Sequence, residues 1–581
     1  MLRKLNKQGY ILILILMLNL FLNVYGINWG LPNRWNVDEQ VATSLRMLHE
    51  KSIVTSDDFG HPTFYYFFLI LVLSLFIIFL KFIGYPLATV ESAAAVSWIK
   101  LTFVAPDFAK GIYFIARFAS CLLGVFSVYM VYLIGKRIFN KTTGLLSAAV
   151  LSMTMGFAAI NHFAKYDSLL HLLMLITIYF CIKAIQGRDF KKYIFLASFF
   201  AGISMATKYN GAILVNSIIT AYLLHKKREA GVSFKKITSF LFDKIVLGIA
   251  GLYILGNLIV WPGLLLNFRE YLNSFLYYGT LRAGSPYVLY HSYYVNMVNY
   301  FIQITLIFGI PIFIFAIIGT VGYLFKLKKV SAEILILLVI IIPYFLIISS
   351  DRHMYHPCTR YIIAIIPFLS LFAGKALNSF LEYGINRILK ILVIAFIFIF
   401  SFFYTLSADL TFVKDDTRYK ATKWVLKNLP ENSSIEMLDQ IDWLVAADKI
   451  VSAYNINFFG NSSKDNVTRI KFKVLRSSNF REDYFKKLNI SGIRRDYIML
   501  VFLNASDIPY GAIDTVLTEE SKFKYNLVNG KLNYRLVKQF SHPNDKLKSS
   551  LIRGLSLPRN IFWNPNPTDY TSPTILIFKK I

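Results

Sequence analysis

The stretch YILILILMLNLFLNVY, residues 10–25, carries no charged side chain. Comparable apolar runs recur at residues 63–82 and 388–404. About 20 such residues cross the ~30 Å hydrocarbon layer of a bilayer. In a run this uniform, a helix is the structure that satisfies its own backbone at that depth. The whole chain repeats the pattern. Of its 581 residues 56% are hydrophobic and 16% charged, where a soluble domain has about a quarter charged. The fold expected is a polytopic α-helical membrane protein.

The formal net charge is +29. Much of the excess lies in short clusters between apolar runs: Arg3-Lys4, Lys136-Arg137, Lys191-Lys192, Lys226-Lys227-Arg228 and Lys326 to Lys329. That is the pattern of cytoplasmic loops. No nucleic-acid-binding motif accompanies the charge, so membrane lipids, anionic ones above all, are the expected partner and nucleic acid is not. Cys121, Cys181 and Cys358 have neither disulfide nor metal-ligand spacing. Met1 to Tyr25 has the basic start and apolar stretch of a signal peptide without a small-residue cleavage site, and reads as an uncleaved first span.

The basic loops set the expected topology. Span one leads outward, and the run ending at Gly135 leads inward. Spans then alternate over residues 144–161, 168–186, 193–207, 210–225, 240–261, 297–325, 331–349, 361–378 and 388–406. Residues 63–105 strain this scheme. Thr63 to Phe82 forms a juxtamembrane or re-entrant helix, or crosses together with Leu87 to Val104. The count is eleven or thirteen transmembrane helices, and both place the C-terminus outside the cell membrane.

Beyond Ser407 charges become frequent, and β-rich runs appear at residues 497–502, 534–537 and 574–578. Asp415 to Leu429 reads as an amphipathic helix ending before Pro430. The expected organisation is a membrane domain over residues 1–406 and a soluble α/β domain on the outer face over residues 407–581. Five sequons, at Asn432, Asn461, Asn466, Asn489 and Asn504, fall in the second.

Ionisable residues gather in the expected outer loops. Asp38 and Glu39 follow the first span, where a carboxylate can take a proton from an attacking hydroxyl. They also suit the positive end of a helix running to His49, or a divalent cation such as Mg²⁺ or Mn²⁺. His61-Pro62 opens the next apolar run. Lys165 and Asp167 flank Tyr166 in the second loop. The plain alternatives there are snorkelling of Lys165 and helix capping by Asp167. Lys208 lies at the next outward turn, Arg282 in the long loop, and Arg352, His353, His356 and Arg360 in another. Outer cations suit a phosphate ligand. There is no glycine-rich nucleotide loop after a strand.

This order of motifs resembles the GT-C membrane glycosyltransferases, most nearly family 39, which includes protein O-mannosyltransferases and lipid A aminoarabinose transferases. The resemblance rests on Asp38-Glu39 and His61-Pro62 after one span, Ala116-Arg117-Phe118 before Gly135-Lys136-Arg137, and Lys165-Tyr166-Asp167. It continues through Thr207-Lys208-Tyr209, Arg360-Tyr361 with Pro367, and Asp416-Thr417-Arg418 with Trp424. It covers residues 10 to 430. It implies a polyprenyl-phosphate-linked sugar as donor and a hydroxyl acceptor on protein, lipid or polysaccharide, with inversion at the sugar. Asp38 is then the base with Glu39 beside it, and Asp167 the second acidic residue. His61, Lys165, Lys208 and Arg360 are the phosphate contacts. His61 stands where the lipid A-modifying relatives carry Lys. The alternatives are a non-enzymatic sugar-lipid transporter, which needs charges near the midplane that the sequence hardly offers, and a structural membrane protein.

Overall fold

A computed structural model describes residues 7–31, 39–53, 61–85, 106–230, 243–273, 293–325, 330–350, 359–384, 386–413, 416–430, 433–437, 455–458, 496–502, 519–541 and 574–581. Asp38, residues 87–104, Arg282, Arg352, His353, His356, Cys358 and the five sequons lie outside the described residues. The chain divides into two compact units, one reaching Leu410 and the other starting at Thr411.

The first unit is helical. It contains α1 (Lys7–Val24), α2 (Val41–Glu50), α3 (Phe64–Phe82), α4 (Pro106–Ile138), α5 (Lys141–Ser152), α6 (Met155–Asn161), α7 (Tyr166–Gln186) and α8 (Phe190–Thr207). There follow α9 (Leu214–Ala230), α10 (Lys244–Val260), α11 (Tyr293–Phe308), α12 (Ile310–Leu324), α13 (Ala332–Ser350), α14 (Ile366–Glu382) and α15 (Arg387–Val413). Leu14, Met17, Phe126, Ile254, Phe396 and Phe403 are exposed on its flank, an apolar surface that suits lipid rather than water.

Two expected spans are broken. The run 144–161 divides at Met153–Thr154, where α5 and α6 meet at 63°. The run 297–325 divides at Gly309, whose φ of 75° fits a residue without Cβ; α11 and α12 meet there at 120°. α8 lies against α10 so closely that a Cβ on Gly202 would fall on the Tyr253 carbonyl. That approach makes glycine necessary in an otherwise good helix.

α4 has α1 and α3 as neighbours along its length. Asn23 Nδ2 of α1 donates to the Cys121 carbonyl at 3.4 Å. α1 thus runs along the second half of α4. α3 follows the first half instead. The Tyr65 hydroxyl is 3.4 Å from that of Ser120, a Cβ on Gly111 would meet the Phe76 ring at 3.2 Å, and the Tyr85 and Phe108 rings are 6.2 Å apart. At 1.5 Å per residue, Arg117 to Lys136 is about 29 Å long, close to the ~30 Å layer. α3 packs beside the start of that stretch and, at 19 apolar residues, is itself long enough to cross a membrane. Among the described residues seven helices are long and apolar enough to cross a membrane, α3 among them, or up to nine if each bent pair is one span.

The second unit holds α16 (Thr417–Asn428), β1 (Ser434–Met437), β2 (Asn455–Phe458), β3 (Tyr497–Phe502), α17 (Glu519–Val528), β4 (Tyr534–Phe540) and β5 (Thr574–Lys580). The sheet order is β2-β1-β3-β5-β4. β1 pairs parallel with β2 and β3, and β5 antiparallel with β3 and β4. Asp416 caps α16, accepting from the Arg418 backbone N–H at 2.9 Å and from its Nε at 2.8 Å. This is the α/β pattern that the β-rich runs announced.

Candidate active site

One end of the bundle collects the loops that carry the ionisable residues. Opposite it is the basic end, where the Gln186 amide donates to Glu333 at 2.9 Å and Arg228 to the Ile185 carbonyl at 2.6 Å.

At the site end Glu39 and Arg117 are both buried. Arg117 Nε donates to Glu39 Oε1 at 2.7 Å and Nη2 to Oε2 at 2.8 Å. Its Nη1 donates to the Ile27 and Trp29 carbonyls at 2.7 and 2.8 Å. Glu39 Oε1 also accepts from the Ala164 backbone N–H at 3.0 Å, and the Gln40 N–H donates to the Ala164 carbonyl at 3.1 Å. One guanidinium therefore ties together the turn after α1, the residue next to Asp38, and the loop that carries Lys165 and Asp167. A paired, hydrogen-bonded fork of this kind is the way two charges tolerate burial.

Asp167 sits in the first turn of α7, buried. Its Oδ1 accepts from Lys208 Nζ at 2.6 Å, while Oδ2 has no hydrogen-bond partner among the described residues. Lys208 follows the last residue of α8 and precedes a 3-10 turn over Tyr209–Ile213. Tyr166 lies among these groups. Lys208 Nζ is 5.2 Å from its ring centroid, the His61 ring 5.8 Å away and the Tyr65 ring 5.9 Å away. Lys165 is buried with Nζ 5.2 Å from the Phe163 ring centroid. Arg360, in the helical turn Thr359–Ile362, lies 5.2 Å over the Tyr361 ring. The structure thus joins His61, Asp167 and Lys208 around Tyr166, and Glu39 to the loop of Lys165. Asp38 itself lies outside the described residues.

Both Glu39 oxygens accept from Arg117, so that carboxylate does not fit a divalent cation. Among the described residues no group of three His, Cys, Asp or Glu side chains is placed to hold one. Arg117 is the site residue that a search for loop charges misses, because it lies within α4. Standing alone between Lys110 and Lys136 in α4, a buried arginine is costly, and that is the signal that marks it.

Residues 108–254 match the family model for dolichyl-phosphate-mannose-protein mannosyltransferases. No curated protein matches the sequence. Among solved structures, the chain is similar to ArnT from Cupriavidus metallidurans bound to undecaprenyl phosphate, at 12% identity and a TM-score of 0.48, covering 98% of each chain. It is also similar to oligosaccharyltransferase AglB from Archaeoglobus fulgidus in complex with an inhibitory peptide and a dolichol-phosphate. There the identity is 13% and the TM-score 0.42, covering 99% of this chain and 88% of that one. The family match runs from α4 into α10, through the helices that carry Arg117, Lys165, Asp167 and Lys208. It agrees with the resemblance read in the sequence. Over residues 108–254 the chain is therefore similar to the dolichyl-phosphate-mannose-protein mannosyltransferases, on a polytopic helical membrane fold.

Proposed function

We propose that the protein transfers a sugar from a polyprenyl-phosphate-linked donor to a hydroxyl acceptor on the outer face of the cell membrane, with inversion. The acceptor oxygen attacks the anomeric carbon as the bond from that carbon to the phosphate oxygen breaks. Asp38 takes the acceptor's proton, and the polyprenyl phosphate leaves with the electron pair. Lys208, Lys165, Arg360 and His61 meet the phosphate and stabilise its developing charge, so no general acid is needed. Asp167 orients acceptor or sugar through Oδ2. Glu39 positions Asp38 through Arg117 and does not itself react. The positive-inside pattern supports a cytoplasmic basic end and a second unit on the outer side.

The observation that carries this reading is the buried Asp167–Lys208 pair with Oδ2 left over. Buried charge at the end of an apolar bundle is costly unless it works or is fully paired. The test supplies purified protein in nanodiscs with a polyprenyl-phosphate hexose and a cell-envelope acceptor fraction, and follows transfer by mass spectrometry. Transfer that is lost in Asp167→Asn supports the reading. Movement of intact donor lipid across the bilayer without transfer would replace it with a transporter.

A further inference from the structure

We infer that Tyr344 is a positioning residue for the cations that meet the donor phosphate, a role that rests on the function proposed above. Its side chain is buried in α13. The hydroxyl donates to the Tyr361 carbonyl at 2.7 Å and accepts from Asn210 Nδ2. Asn210 belongs to the turn that Lys208 opens. Tyr361 follows Arg360, whose Nη2 donates to the Tyr361 hydroxyl at 3.3 Å. A single oxygen therefore joins the turn that carries Lys208 to the turn that carries Arg360.

The local sequence aims that oxygen. Pro343 lies inside α13 and has no N–H to give the Val339 carbonyl one turn back. Asn216 of α9 donates its Nδ2 to that carbonyl at 3.4 Å instead. Ser217 beside it donates to the Ile336 carbonyl at 2.9 Å. α9 is thus bonded to the backbone of α13 around the proline. The Lys208 turn runs directly into α9, so this interface fixes the distance from that turn to Tyr344. Cations held on a fixed frame bind phosphate without first being ordered. Loss of the hydroxyl then weakens donor binding and leaves the chemical step alone.

The experiment compares full-length wild type, Tyr344→Phe and Asn210→Ala in nanodiscs. It measures undecaprenyl phosphate affinity, and kcat and KM with a polyprenyl-phosphate hexose. Each variant is expected to bind the lipid about tenfold more weakly, as for one lost hydrogen bond. kcat is expected to stay within about twofold, a split that a merely structural defect does not produce. In a background that carries both Lys208→Ala and Arg360→Ala, Tyr344→Phe is expected to add less than about twofold, because it acts through those two cations. Wild-type affinity in both variants, or a full tenfold loss on top of that double background, overturns the assignment to Tyr344. Failure of wild type to bind the lipid overturns the proposed donor instead.

Discussion

Arg117 and Glu39 form a buried, two-bond pair at 2.7 and 2.8 Å that fastens three loops of the site end to α4. The pair is the frame on which the loop of Lys165 is set. Arg117→Met leaves the Glu39 carboxylate buried without its counter-ion, which costs about 3–5 kcal/mol. Thermal unfolding in detergent is expected to show that loss, with little folded protein recovered. Arg117→Met with unchanged stability would mean that Glu39 has other support.

Lys165→Ala removes a proposed phosphate contact. Loss of a hydrogen bond to a charged group is worth about 1.5–3 kcal/mol, or roughly 10- to 100-fold in donor affinity. Lys208→Ala is expected to lose affinity too, and in addition to destabilise the fold, because it strands Asp167. Titration with a polyprenyl phosphate alongside thermal unfolding separates the two. Unchanged donor affinity in both variants would remove these lysines from the phosphate site.

A juxtamembrane α3 has both its ends on one side, whereas a crossing α3 has them on opposite sides. In a background lacking Cys121, Cys181 and Cys358, a cysteine replacing exposed Lys81 is expected to label from outside with a membrane-impermeant thiol reagent, and so is a cysteine at Asn33. A cysteine at Lys136 is expected to label only after permeabilisation. Protection of the position-81 cysteine until permeabilisation would show that α3 crosses.

At the basic end Lys226 Nζ lies 2.8 Å from Asp243 Oδ2, and the Tyr222 hydroxyl donates to the same oxygen at 2.8 Å. The Lys226 hydrogen bond holds the Asp243 carboxyl down to about 2, below its ordinary 3.8. A pKa lowered by folding stabilises the folded state above the ordinary value, and that contribution is lost as pH falls through the folded value. The pair is partly exposed, so the effect is at most about 1 kcal/mol. The stability gap between wild type and Asp243→Asn is expected to be constant above about pH 5 and to shrink below pH 4. A gap that holds down to pH 2 contradicts the pairing.

Much of the bundle was legible because long apolar runs have few alternatives. The run 168–186 became α7 and 193–207 fell within α8. What escaped depends on tertiary partners. The bend at Gly309 needs the neighbours that accept it, and Pro343 is tolerated inside α13 because Asn216 takes the freed carbonyl. β1 and β2 are four residues each, too short to show a period of two. In the site, the loop position of Lys165, Asp167 and Lys208 was readable from charge at span ends. That Asp167 and Lys208 pair with each other was not, since 41 residues separate them. Nor was the engagement of Glu39 by Arg117, which is brought there by a helix with no other charge at that depth.

The central claim is that Asp38 is the base of a glycosyl transfer. Asparagine is nearly isosteric and keeps capping ability, so Asp38→Asn is expected to change stability by no more than about 1 kcal/mol. A positioned base contributes roughly 10²- to 10⁴-fold to rate. The decisive measurement is single-turnover transfer from a polyprenyl-phosphate hexose by Asp38→Asn in nanodiscs, with donor affinity measured in the same preparation. The account predicts unchanged donor binding and a rate at least about a hundredfold below wild type. Transfer at the wild-type rate would contradict it.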